Sequence, residues 1–136
     1  MEEGKHKDRA FEITDIVRET GCQIHCLLGP GHLEKVYENA LVNRLNKQGV
    51  KVARQQKISV FDEVGSLLGE FIADLVVEDI LIVEIKAAKR IADEHVAQLI
   101  GYLRASRMEH GVVVDFGGER FQICKLAKNK HTKSLF

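Results

Sequence analysis

Residues 67–86 read LLGEFIADLVVEDILIVEIK, and the fold is decided there. Two apolar runs, Phe71-Ile72-Ala73 and Leu81-Ile82-Val83, each lead into an acid, Asp74 and Glu84. Glu78-Asp79 separates them, so Leu67–Val77 and Ile80–Ile85 are expected as the two strands of a hairpin. A turn centred near Asp79 leaves Asp74 and Glu84 equally far from the centre, hence opposite each other. Because side chains alternate along a strand, Glu84 and Lys86 share one face. Facing carboxylates repel, and burying unpaired charge is costly. A divalent cation bridging Asp74 and Glu84 is the simplest compensation. The alternative is that Lys86 pairs with one of the acids at a solvated rim of the sheet.

Outward from the hairpin, the periodicity changes. Upstream, Gly29-Pro30-Gly31 holds the only proline and breaks the chain. Before it, Ile13, Ile16, Val17, Ile24, Leu27 and Leu28 recur at helical spacing. After it, Leu33, Val36, Tyr37, Ala40, Leu41 and Leu45 do so until Gly49. Two antiparallel helices joined at a tight corner are expected, then a strand through Val52, Ile58, Val60 and Phe61, with 62–66 as a turn. Downstream, Ile91, Val96, Leu99, Ile100 and Leu103 predict a helix over 91–107. Gly111–Val114 reads as a buried strand, and Phe121–Cys124 as an edge strand after the turn at Gly117-Gly118. The order is two helices, three strands, one helix and two strands. That is an α/β sandwich with a mixed central β-sheet flanked by α-helices. The tail from Lys125 is basic and weakly apolar, so 126–136 is expected to fray.

Composition sets the outer limits. The 136 residues suit one domain, 1–136, with one core. No apolar run is long enough to cross a bilayer, and MEEGKHKDRA lacks a secretory apolar stretch. The expectation is a cytoplasmic protein with no membrane partner. Three cysteines make no even disulfide framework. Cys22 and Cys26 flank His25 on a helix, but no second Cys or His pair follows at finger spacing, so they read as small core residues rather than zinc ligands. Lys+Arg and Asp+Glu each number 20, for zero net charge. Proteins that bind nucleic acid mainly through phosphate neutralisation are usually basic. Any nucleic-acid binding here must therefore use a local basic patch or a metal.

Two helical patterns surround the acids. His95, Gln98 and Tyr102 fall three and four apart, making one polar stripe that either reaches phosphate oxygens or marks the boundary of the core. Glu34 and Glu38 lie one turn apart, and like charges at that spacing destabilise a helix slightly. At least one of them should therefore have another partner.

With these residues in hand, the chain resembles a known family. Gly31-His32-Leu33-Glu34-Lys35-Val36-Tyr37 looks like the motif that names the GxxExxY proteins. The likeness continues through Gln55, Gly69–Asp74, Val83–Lys86, His95–Leu103, Gly111 and Asp115-Phe116-Gly117. That family resembles the PD-(D/E)XK nuclease superfamily, which implies a restriction-endonuclease-like fold. It also implies roles: Asp74 as the first acid, Glu84 and Lys86 as the Glu-x-Lys half, and Glu34 as the helix acid that completes the site. Gln98 and Tyr102 are similar to the Gln-x-x-x-Tyr pair of the exonuclease-like branch. Ala73 stands where the signature has proline, and Asp115 where the family often has asparagine.

The implied activity is metal-dependent hydrolysis of nucleic-acid phosphodiesters, with DNA ahead of RNA. Asp74, Glu84 and the carbonyl of Ile85 would bind Mg²⁺ or Mn²⁺. Lys86 would orient the attacking water, Glu34 would support the metal, and Gln98 and Tyr102 would align the phosphate backbone, with Lys89 or Arg90 adding charge. A homodimer through the first helix fits the need of many small nucleases for two sites. The competing class is a nuclease fold kept as a non-catalytic module that binds nucleic acid or protein.

Overall fold

Hydrogen-bond registers show how the hairpin is built into a sheet. The computed structural model describes residues 2–128 of the chain. They form α1 (Glu2–Leu28), α2 (Glu34–Lys47), β1 (Val52–Phe61), β2 (Leu67–Val77), β3 (Leu81–Lys86), α3 (Asp93–Ala105), β4 (His110–Asp115) and β5 (Gln122–Ala127). The five strands make one sheet in sequence order. Its pairs are antiparallel apart from β3 with β4, which run parallel. A parallel pair needs a crossover, and α3 supplies it. Helices α1 and α2 lie over one face: Ile13, Val17, Ile24, Tyr37, Leu41 and Leu45 pack there with Leu75, Val83, Ile85, Val112 and Val114. Leu99 and Leu103 of α3 cover the other face, against Ala73, Val76, Ile82 and Val113. Strand β3 is covered on both sides, and Leu81 to Ile85 are all buried. Among the described residues no helix is long and apolar enough to cross a membrane.

The β2–β3 register pairs Leu75 with Val83, Val76 with Ile82 and Val77 with Leu81. One step further it sets Asp74 opposite Glu84, as the hairpin arithmetic predicts. The ladder stops at that point. The Ile85 N–H donates to Asp74 Oδ2 at 2.8 Å instead of to a β2 carbonyl. Upstream of Leu75, β2 pairs with β1 alone, so Leu67–Ala73 belong to a two-stranded arm.

The corner between the first two helices is stitched by a side chain. Gly29 and Gly31 take positive φ angles of 67° and 105°, open to glycine without steric cost. Tyr37 is fully buried; its hydroxyl donates to the Gly29 carbonyl at 2.6 Å and accepts from the His32 N–H at 3.2 Å. Its ring stacks on Phe116 at 4.5 Å.

Three expectations are corrected. Cys22 and Cys26 are exposed rather than buried, because Gly21 and Ile24 hold the inward positions of that turn. The Phe121 ring lies so close to Gly21 that any added Cβ would sit 2.3 Å from it. Leu33 is 78% exposed and precedes α2 instead of lying on its apolar face. Residues 126 and 127, expected in the tail, instead close β5: Leu126 is buried in the α3-side core, and the Lys128 N–H bonds the Glu109 carbonyl. The remainder, 129–136, falls outside the described residues.

Removing the Tyr37 hydroxyl leaves a part-buried carbonyl and an amide without that partner. Tyr37→Phe should lower stability by roughly 1–3 kcal/mol without changing the fold, measured by urea unfolding. An unchanged midpoint would mean that the corner holds itself.

Candidate functional site

The site lies where β2 and β3 part. On β3, Ile82 faces α3, and alternation carries Glu84 and Lys86 to the same side. Glu84 is 6% exposed, and its Oε1 is buried without a hydrogen-bond partner. Asp74 is half-buried, with one oxygen bonded to the Ile85 N–H. The two carboxyl groups are within hydrogen-bonding reach of each other. Burial, then the Asp74 charge and that hydrogen bond, push the Glu84 carboxyl up to about 8, while Lys86 pulls more weakly the other way. Lys86 makes no ion pair among the described residues. The rim alternative, in which Lys86 neutralises one acid by contact, therefore does not describe this site.

The crossover helix brings two more residues. Gln98 Nε2 donates to the Tyr102 hydroxyl at 2.8 Å. Burial and then the Glu84 charge raise the Tyr102 phenol, with a smaller push from Asp74, so the hydroxyl sits in the field of both acids. Tyr102 is held flat against Phe71 of β2, ring centroids 3.8 Å apart. His95 does not continue the stripe: its Nδ1 accepts from the Ala92 N–H at 3.1 Å and so caps the start of α3.

Glu34 stands apart. It is the first residue of α2, exposed, on the helix layer of the opposite sheet face. Among the described residues no three His, Cys, Asp or Glu side chains are grouped so as to hold a metal ion. The cluster is thus Asp74, Glu84, Lys86, Gln98 and Tyr102. The acid of α2 that has buried partners is Glu38, 4% exposed. It accepts from Lys35 and Arg54 at 2.8 Å and from Gln55 at 2.7 Å. Burial acts to raise its carboxyl, but these hydrogen bonds outweigh that and hold it below the ordinary value. The like-charge spacing of Glu34 and Glu38 was the sequence signal for this partnership.

Asp115 was missed as a structural acid. It ends β4 beside Lys86 in the parallel register and is fully buried. Its Oδ1 accepts from the Ala88 and Gly117 N–H groups at 2.9 and 3.0 Å, fixing the exit of the strand that carries Lys86. Gly117 is required there, since a Cβ would come within 2.3 Å of the Ala88 carbonyl.

The donor set suits a hard divalent cation. It offers carboxylate oxygens from two strands, one of them an orphaned buried oxygen, beside a single lysine. Two such groups so close do not both ionise readily unless a cation lies between them; otherwise one keeps its proton.

A family model of the PD-(D/E)XK nuclease superfamily matches residues 11–125. Among solved structures, the chain is similar to the crystal structure of SSO0001, with a TM-score of 0.53 and 18% identity. The match covers 67% of this chain and 48% of that one, so it spans about half of that protein's length and speaks to the fold alone. No curated protein matches the chain.

The buried pair carries a pH signature in the metal-free protein. Glu84 keeps its proton to about pH 8 when folded, against an ordinary value of 4.5. Across that window the unfolded chain loses a proton that the folded chain retains, so stability falls as pH rises and levels off above it. Urea unfolding in EDTA should record a loss of roughly 3–5 kcal/mol over the window. Glu84→Gln should remove most of that slope; an unchanged slope would place the titration elsewhere.

Proposed function

Since the chain belongs to the PD-(D/E)XK nuclease superfamily and has its restriction-endonuclease-like fold, we propose that it is a metal-dependent phosphodiesterase acting on nucleic acid. The observation that carries this reading is the buried, unpartnered Glu84 Oε1 beside the Asp74 carboxyl. Evolving such a cluster for stability alone would be costly, whereas a cation turns it into an asset.

Asp74, Glu84 and the Ile85 carbonyl would hold Mg²⁺ or Mn²⁺. When bound, such an ion lowers the pKa of a water and offsets charge on phosphate oxygens. The residues do the rest. Lys86 shares the face of Glu84 without an ion-pair partner among the described residues, and its ammonium would orient a water or meet negative charge on a phosphate. Tyr102, propped on Phe71 and bonded to Gln98, presents polar groups beside the acids to align a phosphodiester. Lys89 and Arg90 are exposed on the segment after β3 and add positive charge at its exit. Glu34 takes part only through water or after a movement of α2.

The finer GxxExxY membership rests on the spaced motifs. Gly31 and Tyr37 have clear work at the α1–α2 corner, which accounts for two of its three named positions. DNA is favoured over RNA only by the superfamily's resemblance. A cytoplasmic setting and a homodimer through α1 belong to the same reading; the exposed Phe11 and Leu27 on α1 support the latter. The second reading, a binding module without catalysis, draws on the zero net charge.

Glu84→Gln and Lys86→Ala should each reduce Mn²⁺-dependent cleavage of DNA at least ~100-fold, with the unfolding midpoint little changed in Lys86→Ala and raised near neutral pH in Glu84→Gln. Cleavage that survives both changes in clean protein would refute the catalytic reading. Saturable DNA binding with no cleavage by the wild type in Mn²⁺ would establish the module instead.

A further inference from the structure

The β1–β2 ladder has one gap. Pairs run at constant register from Val52 with Val77 to Val60 with Gly69, and the omitted step is Gln55 with Asp74. Gln55 has a φ of 47°, left-handed backbone in the middle of a strand; Glu78 and Asp79, the other such non-glycine residues, lie in a turn. The ribbon also changes faces there. Val52, Leu75 and Val77 pack on the α1–α2 side, whereas Ile58, Phe71 and Ala73 pack on the α3 side. A strict two-residue period forbids this, since Val52 and Ile58, or Ala73 and Leu75, are an even number of residues apart. The switch thus occurs at Gln55 and Asp74.

A left-handed glutamine persists only where its surroundings over-determine it. Here the determinant is Glu38: its Oε1 accepts from Gln55 Nε2 at 2.7 Å, and its Oε2 accepts from the adjacent Arg54 at 2.8 Å. Glu38 is fixed on α2 between Tyr37 and Leu41, both fully buried. The helix layer on one sheet face therefore grips the kink that turns the opposing strand toward the other face.

We propose that Gln55, held by Glu38, is a positioning residue that sets the Asp74 carboxylate for metal binding. This rests on the metal reading of Asp74 and Glu84 given above. Without the grip, Asp74 is free to rejoin the β1–β2 ladder, and its bond to the Ile85 N–H is lost. A purely structural Gln55 would act on stability alone, and glycine accepts left-handed backbone freely.

The test compares wild type, Gln55→Gly and Glu38→Gln by Mn²⁺ calorimetry, thermal unfolding and amide exchange at Ile85 without metal. Gln55→Gly should melt near the wild type, bind Mn²⁺ at least ~10-fold more weakly, the scale of losing an outer support of a metal ligand, and expose the Ile85 amide to faster exchange. Glu38→Gln, whose amide oxygen still accepts from Gln55, should keep Mn²⁺ affinity within about 3-fold while melting lower. Wild-type Mn²⁺ affinity and Ile85 protection in Gln55→Gly would overturn the proposal. If Gln55→Gly does not fold, Gln55→Asn tolerates left-handed backbone but is too short for Glu38, and the same readings apply. Absence of Mn²⁺ binding by the wild type would remove the metal reading, and Ile85 exchange would then decide the positioning role by itself.

Discussion

The parallel pairing of β3 with β4 governs the molecule. Parallel neighbours require a crossover, and the only segment between them is α3. The crossover covers the sheet face that α1 and α2 leave open, so β3 is buried on both sides. That burial makes a carboxyl on β3 costly. The same crossover delivers Gln98 and Tyr102 above the strand, so a single topological choice both creates the electrostatic problem and furnishes the groups around it.

Burial and proximity act together at the acids. Neither carboxyl would be unusual by itself at a wet sheet edge. Glu84 is enclosed by its place in the sheet, and Asp74 is brought to it where the β2–β3 ladder ends. Retention of the Glu84 proton in the metal-free protein, and a cation held between the two acids, would be two answers to one constraint. Lys86 modulates it from a distance without cancelling it.

Much of this was legible in the sequence. Element order follows from the change of hydrophobic period, and the placing of Asp74 opposite Glu84 follows from counting outward from Asp79, because hairpin register is fixed by its turn. What escaped reading lacks a local signal. Nothing around Gln55 marks a change of face; the sequence Ala53-Arg54-Gln55-Gln56-Lys57 has no glycine or proline, and the cause lies on α2, seventeen residues away. Cys22 and Cys26 were misplaced because helical spacing fixes a period but not which small residue faces inward, and the ring that selects Gly21 comes from Phe121, a hundred residues on. Glu34 drew attention through its motif, while the buried partnership belongs to Glu38.

The two-stranded arm has a bearing on how the protein behaves in bulk. Upstream of Leu75, β2 offers hydrogen-bonding groups that β3 does not take up, and Leu67, Leu68 and Ile72 beside them are more than half exposed. Such an edge is a template for another strand, and natural proteins usually blunt it with charge. Glu70 is the one charged residue within that stretch, and the chain as a whole carries no net charge near neutrality to keep copies apart. Colloidal behaviour is thereby tied to pH and to concentration: the molecule disperses best away from neutrality, and crowding favours strand-to-strand association through this arm.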